Sequence, residues 1–239
     1  MNRGFTVRRK IMTDAHCHVS AGDSSVRELL IGRDFAGVHP WEAEGVEPEE
    51  YLVRLRARLA ADPRLGVGEI GLDRLRDKNV SPAMRTLFER QLELAIELDR
   101  PVVLHGAKCW GQVVKKIENE KLKMKNGGRV KFLFHGFSRS DGLIPEIVKL
   151  GGFISVGPAV LNDHAVNYRE LVKKIPLENL LLETDRTEAN RQECPSVRAV
   201  LEKVAELRGV PSMELERVTD ENAQRFDDRA TLVDKNCTL

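Results

Sequence analysis

Leu65-Gly66-Val67-Gly68-Glu69-Ile70-Gly71-Leu72-Asp73 opens as a short apolar run and reaches an ionisable side chain, Glu69, before the run ends. The same design recurs along the chain: 102–104 leads into His105, 130–134 into His135, and 180–182 into the stretch that ends on Asp185. Asp14-Ala15-His16-Cys17-His18 adds a histidine pair near the start. One polar residue closing a buried strand is accident, but the same placement at five strands implies a shared purpose.

Between these runs lie longer segments of helical period, the rhythm of parallel strands joined by crossover helices. Seven strands are expected, near 11–15, 34–38, 65–70, 102–104, 130–134, 152–156 and 180–183. Segment 48–60 carries Tyr51, Leu52, Leu55 and Leu59 on one helical face, and 82–98 carries Leu87, Gln91, Leu94 and Leu98. Ser81-Pro82 supplies an N-cap and a first-turn proline, and Asp99-Arg100-Pro101 ends that helix. Further helices are expected at 110–118, 142–150, 167–175, 196–207 and 212–226. In a closed parallel barrel all strand C-termini face one rim, so the ligand-type residues converge there. An open doubly wound sheet has its crevice at one switch point and would not gather side chains from five strand ends.

At 239 residues the chain fits one barrel domain, taken as 12–239, with 1–11 as a disordered or misannotated extension ahead of Met12. A net charge of +1 with 5% aromatic residues gives no overall sign of a nucleic-acid coat or a membrane-surface binder. Cys17, Cys109, Cys194 and Cys237 form no CxxC pair, which fits a reducing, cytoplasmic setting and argues against a thiolate zinc site. No stretch approaches the length of a transmembrane helix, and no obligate protein partner is indicated, so a monomer is expected.

The chemistry follows from the donor types. Side chains alternate along a strand, so His16 and His18 point to one side and reach one ion. Glu69 can bridge two ions about 3.5–4 Å apart, the two-metal spacing. His105 and His135 complete the second ion's ligand set, and Asp185 binds metal and accepts a proton from activated water. Two divalent ions are expected, with zinc, manganese and magnesium all suited to histidine and carboxylate. His39 is a candidate for the pocket wall or substrate contact, and His164 reads as an exposed loop residue.

At these residues the chain resembles the TatD family of metal-dependent deoxyribonucleases and hydrolases. The matching pieces are Asp-Ala-His-Cys-His at 14–18, Gly-Val-His-Pro at 37–40, Gly-Glu-Ile-Gly-Leu-Asp at 68–73, Pro-Val-Val-Leu-His at 101–105, His-Gly-Phe-Ser at 135–138 and Leu-Leu-Glu-Thr-Asp at 181–185. Thr219, Asn222 and Phe226 resemble its closing pattern. The likeness implies a distorted TIM-type barrel and phosphodiester hydrolysis. It assigns His16, His18, Glu69 and Asp185 to one ion and Glu69, His105 and His135 to the other. Only about twenty residues separate His18 from His39, so one β-α unit of full-length members is expected to be missing. After Asp185 the chain reads Arg-Thr-Glu-Ala-Asn, where members commonly have Ala-Pro. A shorter branch of the family has His-Pro-Trp, Gly-Leu-Asp before a basic residue, and Lys-x-Trp, matched here at 39–41, 71–74 and 108–110.

Arg74, Arg76, Lys78, Lys108, Arg139, Arg186 and Arg191 follow strand ends and are expected to ring the mouth, with Arg74, Lys108 and Arg139 the candidates for phosphate contact. The run Lys121, Lys123, Lys125, Arg129 precedes a strand and belongs to the opposite rim. Trp41, Trp110 and Phe137 are the aromatic rings expected near the mouth as stacking surfaces for bases. The leading expectation is a two-metal phosphodiesterase acting by in-line attack of activated water, a TatD-like DNase with DNA or another phosphodiester as partner. An amidohydrolase-type enzyme acting on a small phosphoester, lactone or amide is the alternative, and a noncatalytic metal-stabilised binding protein is a third.

Overall fold

The computed structural model describes residues 12–123 and 129–228, so the expected extension at 1–11 lies outside the described residues. Among them the chain order is β1 (Met12–Cys17), β2 (Val26–Leu30), β3 (Phe35–Ala36), α1 (Pro48–Ala61), β4 (Gly66–Asp73), α2 (Pro82–Glu97), β5 (Val102–Ala107), α3 (Trp110–Lys123), β6 (Phe132–Phe134), α4 (Ile144–Lys149), β7 (Gly152–Val156), α5 (Val166–Lys174), β8 (Leu180–Leu182), α6 (Val197–Arg208) and α7 (Ser212–Phe226). Helix α2 begins where its caps predict: the Ser81 hydroxyl accepts from the Met84 N–H at 3.1 Å with Pro82 in the first turn.

β3 to β8 form one parallel sheet in sequence order, and β1 pairs in parallel with β2. Two irregular seams join these sheets into a barrel-like ring. At one, the only ladder contact is the isolated bridge between Ile31 and Phe35. At the other, the Asp185 N–H donates to the His16 carbonyl at 3.1 Å and the His18 N–H to that of Arg186 at 2.8 Å. The Asp14 carboxylate spans this second seam, accepting from the Thr184 N–H at 2.9 Å and hydroxyl at 2.6 Å. Burial drives the Asp14 carboxyl up to about 7, against the pull of those Thr184 bonds.

The expected seven strands are present, but an eighth, β2, precedes β3. The expected loss of a whole β-α unit is therefore corrected, because a strand remains and no helix stands between β1 and β2 or between β2 and β3. β2 has no apolar run to announce it. Arg27 pairs with Asp227 at 2.5 Å, and Glu28 accepts from the Ser20 hydroxyl and the Ala21 N–H, so half of the strand is held by polar groups.

Two hydrophobic clusters follow from the alternation of strand side chains. One packs the helices on the outer face of the strands. The other, with Ala15, Phe35, Val103, Leu133, Phe153 and Leu181, fills the barrel interior. Phe226 of α7 closes it from below, with its ring 5.9 Å from Phe35 and 6.0 Å from Phe153. Asn222 fixes that helix by donating to the Leu177 and Leu180 carbonyls, and the Thr219 hydroxyl bonds back to Leu215. The closing Thr219, Asn222 and Phe226 pattern is thus the floor of the barrel. At the opposite rim from the strand ends, Lys121 donates to the Leu150 carbonyl, while Lys125 lies outside the described residues.

Candidate metal centre

The floor residues predict the layer above them. Two positions beyond Val103, Leu133 and Leu181 on the same strand faces stand His105, His135 and Glu183, so period-two alternation carries the interior from an apolar layer to an ionisable one. His16 and Glu69 join this layer fully buried, at 0% and 2% exposure. Asp185, three residues past the end of β8, adopts φ 48, a left-handed conformation uncommon outside glycine.

Glu69 divides the cluster in two. Its Oε2 lies 3.6 Å from His16 Nε2 and 3.5 Å from His18 Nε2, and Asp185 Oδ1 lies 3.5 and 3.6 Å from the same two nitrogens. Four donors at about 2.0–2.2 Å from one ion stand about 3.3–3.6 Å apart in a tetrahedron, which these four distances match. Both ring nitrogens of His16 are buried with no hydrogen-bond partner. A divalent cation among these four donors would satisfy His16 Nε2, so the residues fit the group.

The other oxygen, Glu69 Oε1, receives His105 Nδ1 and His135 Nε2 at 2.6 Å each, with those nitrogens 3.3 Å apart. His39 Nε2 approaches the same oxygen at 3.7 Å, so His39 both lines the pocket and stands within the ligand cluster. Its other nitrogen, Nδ1, accepts from the Trp41 N–H at 3.2 Å, which fixes the ring's direction.

Behind these ligands stand three carboxylates that strand-end reasoning passes over. Asp73 Oδ2 takes His105 Nε2 at 2.8 Å, leaving Nδ1 to face Glu69. Glu183 accepts from the Gly136 N–H at 2.8 Å and from the Ser155 hydroxyl, and its Oε1 lies 3.7 Å from His135 Nδ1. Asp14 links β1 to the Thr184–Asp185 turn. All three sit in the quoted motifs; the available signal was that a buried carboxylate beside a metal-type histidine needs a partner.

Charge in the site is distributed by these contacts. Burial opposes ionisation of Glu69, but His135, His105 and His16 outweigh it and hold the carboxyl well below its usual range. His135 is the counterpart: burial lowers it, and Glu69 with Glu183 raise it well above. Burial would raise Asp73, yet the His105 and Leu75 hydrogen bonds hold it at about 2. Burial takes His39 down to about 4 and lowers His18, which leaves both neutral as ligands require. The site therefore concentrates anionic carboxylate around nitrogens already aimed inward.

A cavity of about 550 Å³ opens over the cluster, lined by His18, His39, Trp41, Arg76, His105 and Asp185 among others. A larger one, about 960 Å³, lies beside it and shares Asp185, with Arg139, His164 and Asn167 in its wall. The candidate basic residues separate accordingly. Arg76 lines the metal cavity and Arg139 the larger one, whereas Arg74 spends its Nε on the Lys78 carbonyl within its own loop and Lys108 lines neither. Arg186 turns away to the Arg191 and Cys194 carbonyls, and Arg191 pairs with Glu188. Trp110 and Phe137 are buried, at 4% and 0% exposure, which corrects their place among the mouth aromatics.

Comparison with known proteins places this geometry. The model of the TatD related DNase family matches residues 33–227. That match starts beyond β2, so the case for the His16–His18 pair rests on the distances above. The chain is 30% identical over 197 residues to the uncharacterized metal-dependent hydrolase YabD of Bacillus subtilis, covering 80% of this chain and 75% of that one. It is 30% identical over 202 residues to the 3'-5' ssDNA/RNA exonuclease TatD of Klebsiella pneumoniae, covering 79% and 74%. The crystal structure of the Escherichia coli TatD homolog YjjV superposes with a TM-score of 0.71 at 27% identity, over 87% of this chain and 78% of that one. Among the described residues no helix is long and apolar enough to cross a membrane.

Proposed function

This chain belongs to the TatD family of metal-dependent hydrolases, and from that premise we propose that it is a divalent-metal-dependent nuclease that cleaves phosphodiester bonds in DNA. The observation that carries the proposal is the division of Glu69, with one oxygen among His16, His18 and Asp185 and the other among His105, His135 and His39. Two divalent ions of the zinc, manganese or magnesium class, when bound there, supply the Lewis acid that polarises a phosphoryl oxygen and acidifies water.

The protein's own groups do the rest. Asp185, with its side chain 47% exposed to the shared edge of both cavities, receives the proton of the attacking water. Glu69 keeps the two halves of the site in one register, and Asp73 and Glu183 keep His105 and His135 from rotating. Arg76 offers a guanidinium to the phosphate at the cavity wall, and attack runs in line with the leaving oxygen.

Metal-reconstituted protein assayed on end-labelled single- and double-stranded DNA, beside small phosphoesters, tests this reading. DNA cleavage that Glu69→Ala abolishes is the expected result. Intact DNA with turnover of a small phosphoester, lactone or amide removes the nuclease reading in favour of an amidohydrolase-type activity. Among the described residues Arg76 is the one arginine or lysine in the metal-cavity wall, which favours that second reading. Full activity in Glu69→Ala removes the two-ion arrangement itself.

A further inference from the structure

Trp41 is 46% exposed, yet its position is fixed from within. It stands on a short 3-10 helix, 40–45, that buries Pro40 and Ala43, and its backbone N–H donates to His39 Nδ1 at 3.2 Å. The ring meets His39 edge-on with centroids 4.7 Å apart, and the indole is one of the groups that hold the Asp73 carboxyl down. Among the described residues the Arg76 guanidinium lies over the ring, 3.7 Å from its centroid. Arg76 comes from an exposed loop and has no ion pair among the described residues. A rigid aromatic face under a removable planar group, in the wall of the metal cavity, is a stacking platform already occupied by a stand-in.

We propose that Trp41 and Arg76 form a clamp for an unpaired nucleobase: the base stacks on Trp41 in place of the guanidinium, and Arg76 moves to the adjoining phosphate. This rests on the proposed nuclease reading and deepens it. The site selects single-stranded ends, because a base held in a duplex by pairing and stacking cannot swing out to lay its face on Trp41. Arginine suits both roles, being planar enough to stack and forked enough to bind phosphate oxygens.

The test compares kcat/KM on a single-stranded oligonucleotide with a normal terminal nucleotide and on the same strand ending in an abasic sugar, for wild type, Trp41→Phe, Trp41→Ala and Arg76→Ala. Wild type is expected to prefer the base-bearing end by about fivefold to a hundredfold, mainly through KM, the range of one base–aromatic stack. Trp41→Phe keeps most of that ratio, Trp41→Ala brings it close to one, and Arg76→Ala raises KM for both strands. A second measurement needs no hydrolysis. Trp110 is buried, so quenching of the exposed Trp41 fluorescence by deoxyadenosine monophosphate, with deoxyribose phosphate as the blank, reads the stack directly. Quenching by the nucleotide alone, with no oligonucleotide cleaved, supports the clamp while removing the nuclease reading. An equal ratio in wild type and Trp41→Ala, or equal quenching by the two phosphates, overturns the clamp.

Discussion

Replacing Asp73 by asparagine should weaken one metal position and spare the other. Asp73 is 1% exposed and its Oδ2 holds His105 Nε2 at 2.8 Å, so the ring presents Nδ1 to Glu69 Oε1 at 2.6 Å. Asparagine keeps the shape and one neutral acceptor but loses the charge, and hydrogen bonds to ionised acceptors are roughly twice as strong as neutral ones. Loss of such an orienting partner costs about 10–100-fold in metal affinity, which corresponds to about 1.4–2.7 kcal/mol. Asp73 makes no hydrogen bond or ion pair with His16, His18 or Asp185, so their ion should be unaffected. Calorimetric titration of metal-free protein with zinc reads both positions. The expected pattern is two classes of site in wild type, one class weakened in Asp73→Asn, and both weakened in Glu69→Ala. Equal weakening of both classes in Asp73→Asn, with thermal stability unchanged, would refute the division of ligands about Glu69.

Three further outcomes test the frame around the site. Phe226→Ala removes the floor ring packed on Phe35 and Phe153 and should cost about 3–5 kcal/mol; differential scanning calorimetry should show Tm lower by about 6–20 °C. Gly71→Ala would place a methyl carbon 1.9 Å from the His105 carbonyl oxygen at φ 153, so β4 and β5 cannot keep their register, and metal binding should be lost together with soluble yield. Metal-free protein given an ion at about a hundredfold over its Kd should gain about 2.7 kcal/mol, seen as a Tm rise of about 5–11 °C that a chelator reverses; no shift with zinc, manganese or magnesium would count against a metal centre.

The pattern of strand-end donors was legible because it is local. A strand alternates with period two, so an apolar residue in the barrel floor places the residue two positions on directly above it, and Val103 to His105 and Leu133 to His135 follow that rule. Helix starts at Ser81 and Ser196 were equally local, since an N-cap is a matter of three neighbouring residues. β2 was not legible, because Arg27 and Glu28 are satisfied by Asp227 and by 20–21, partners that no periodicity within 26–30 reveals. Which of the mouth charges would line a cavity was hidden for a related reason: Arg76 and Arg139 do, and others are tied up locally. Arg74, Arg186 and Arg191 bond to carbonyls or a carboxylate within their own loops, and a loop's internal hydrogen bonds cannot be counted from residue type.

By itself, then, the sequence determined that six histidines and carboxylates would meet at one end of a parallel barrel-like fold, because strand direction and side-chain alternation are set by the chain itself. Tertiary structure alone decided how they meet. It turned the two oxygens of Glu69 towards different partners, drew His39 into the cluster, set Asp73 and Glu183 behind the histidines, and left Trp41 under Arg76 at the mouth. Each of these depends on distances between strands and loops far apart in sequence, which only the closed packing of the interior fixes.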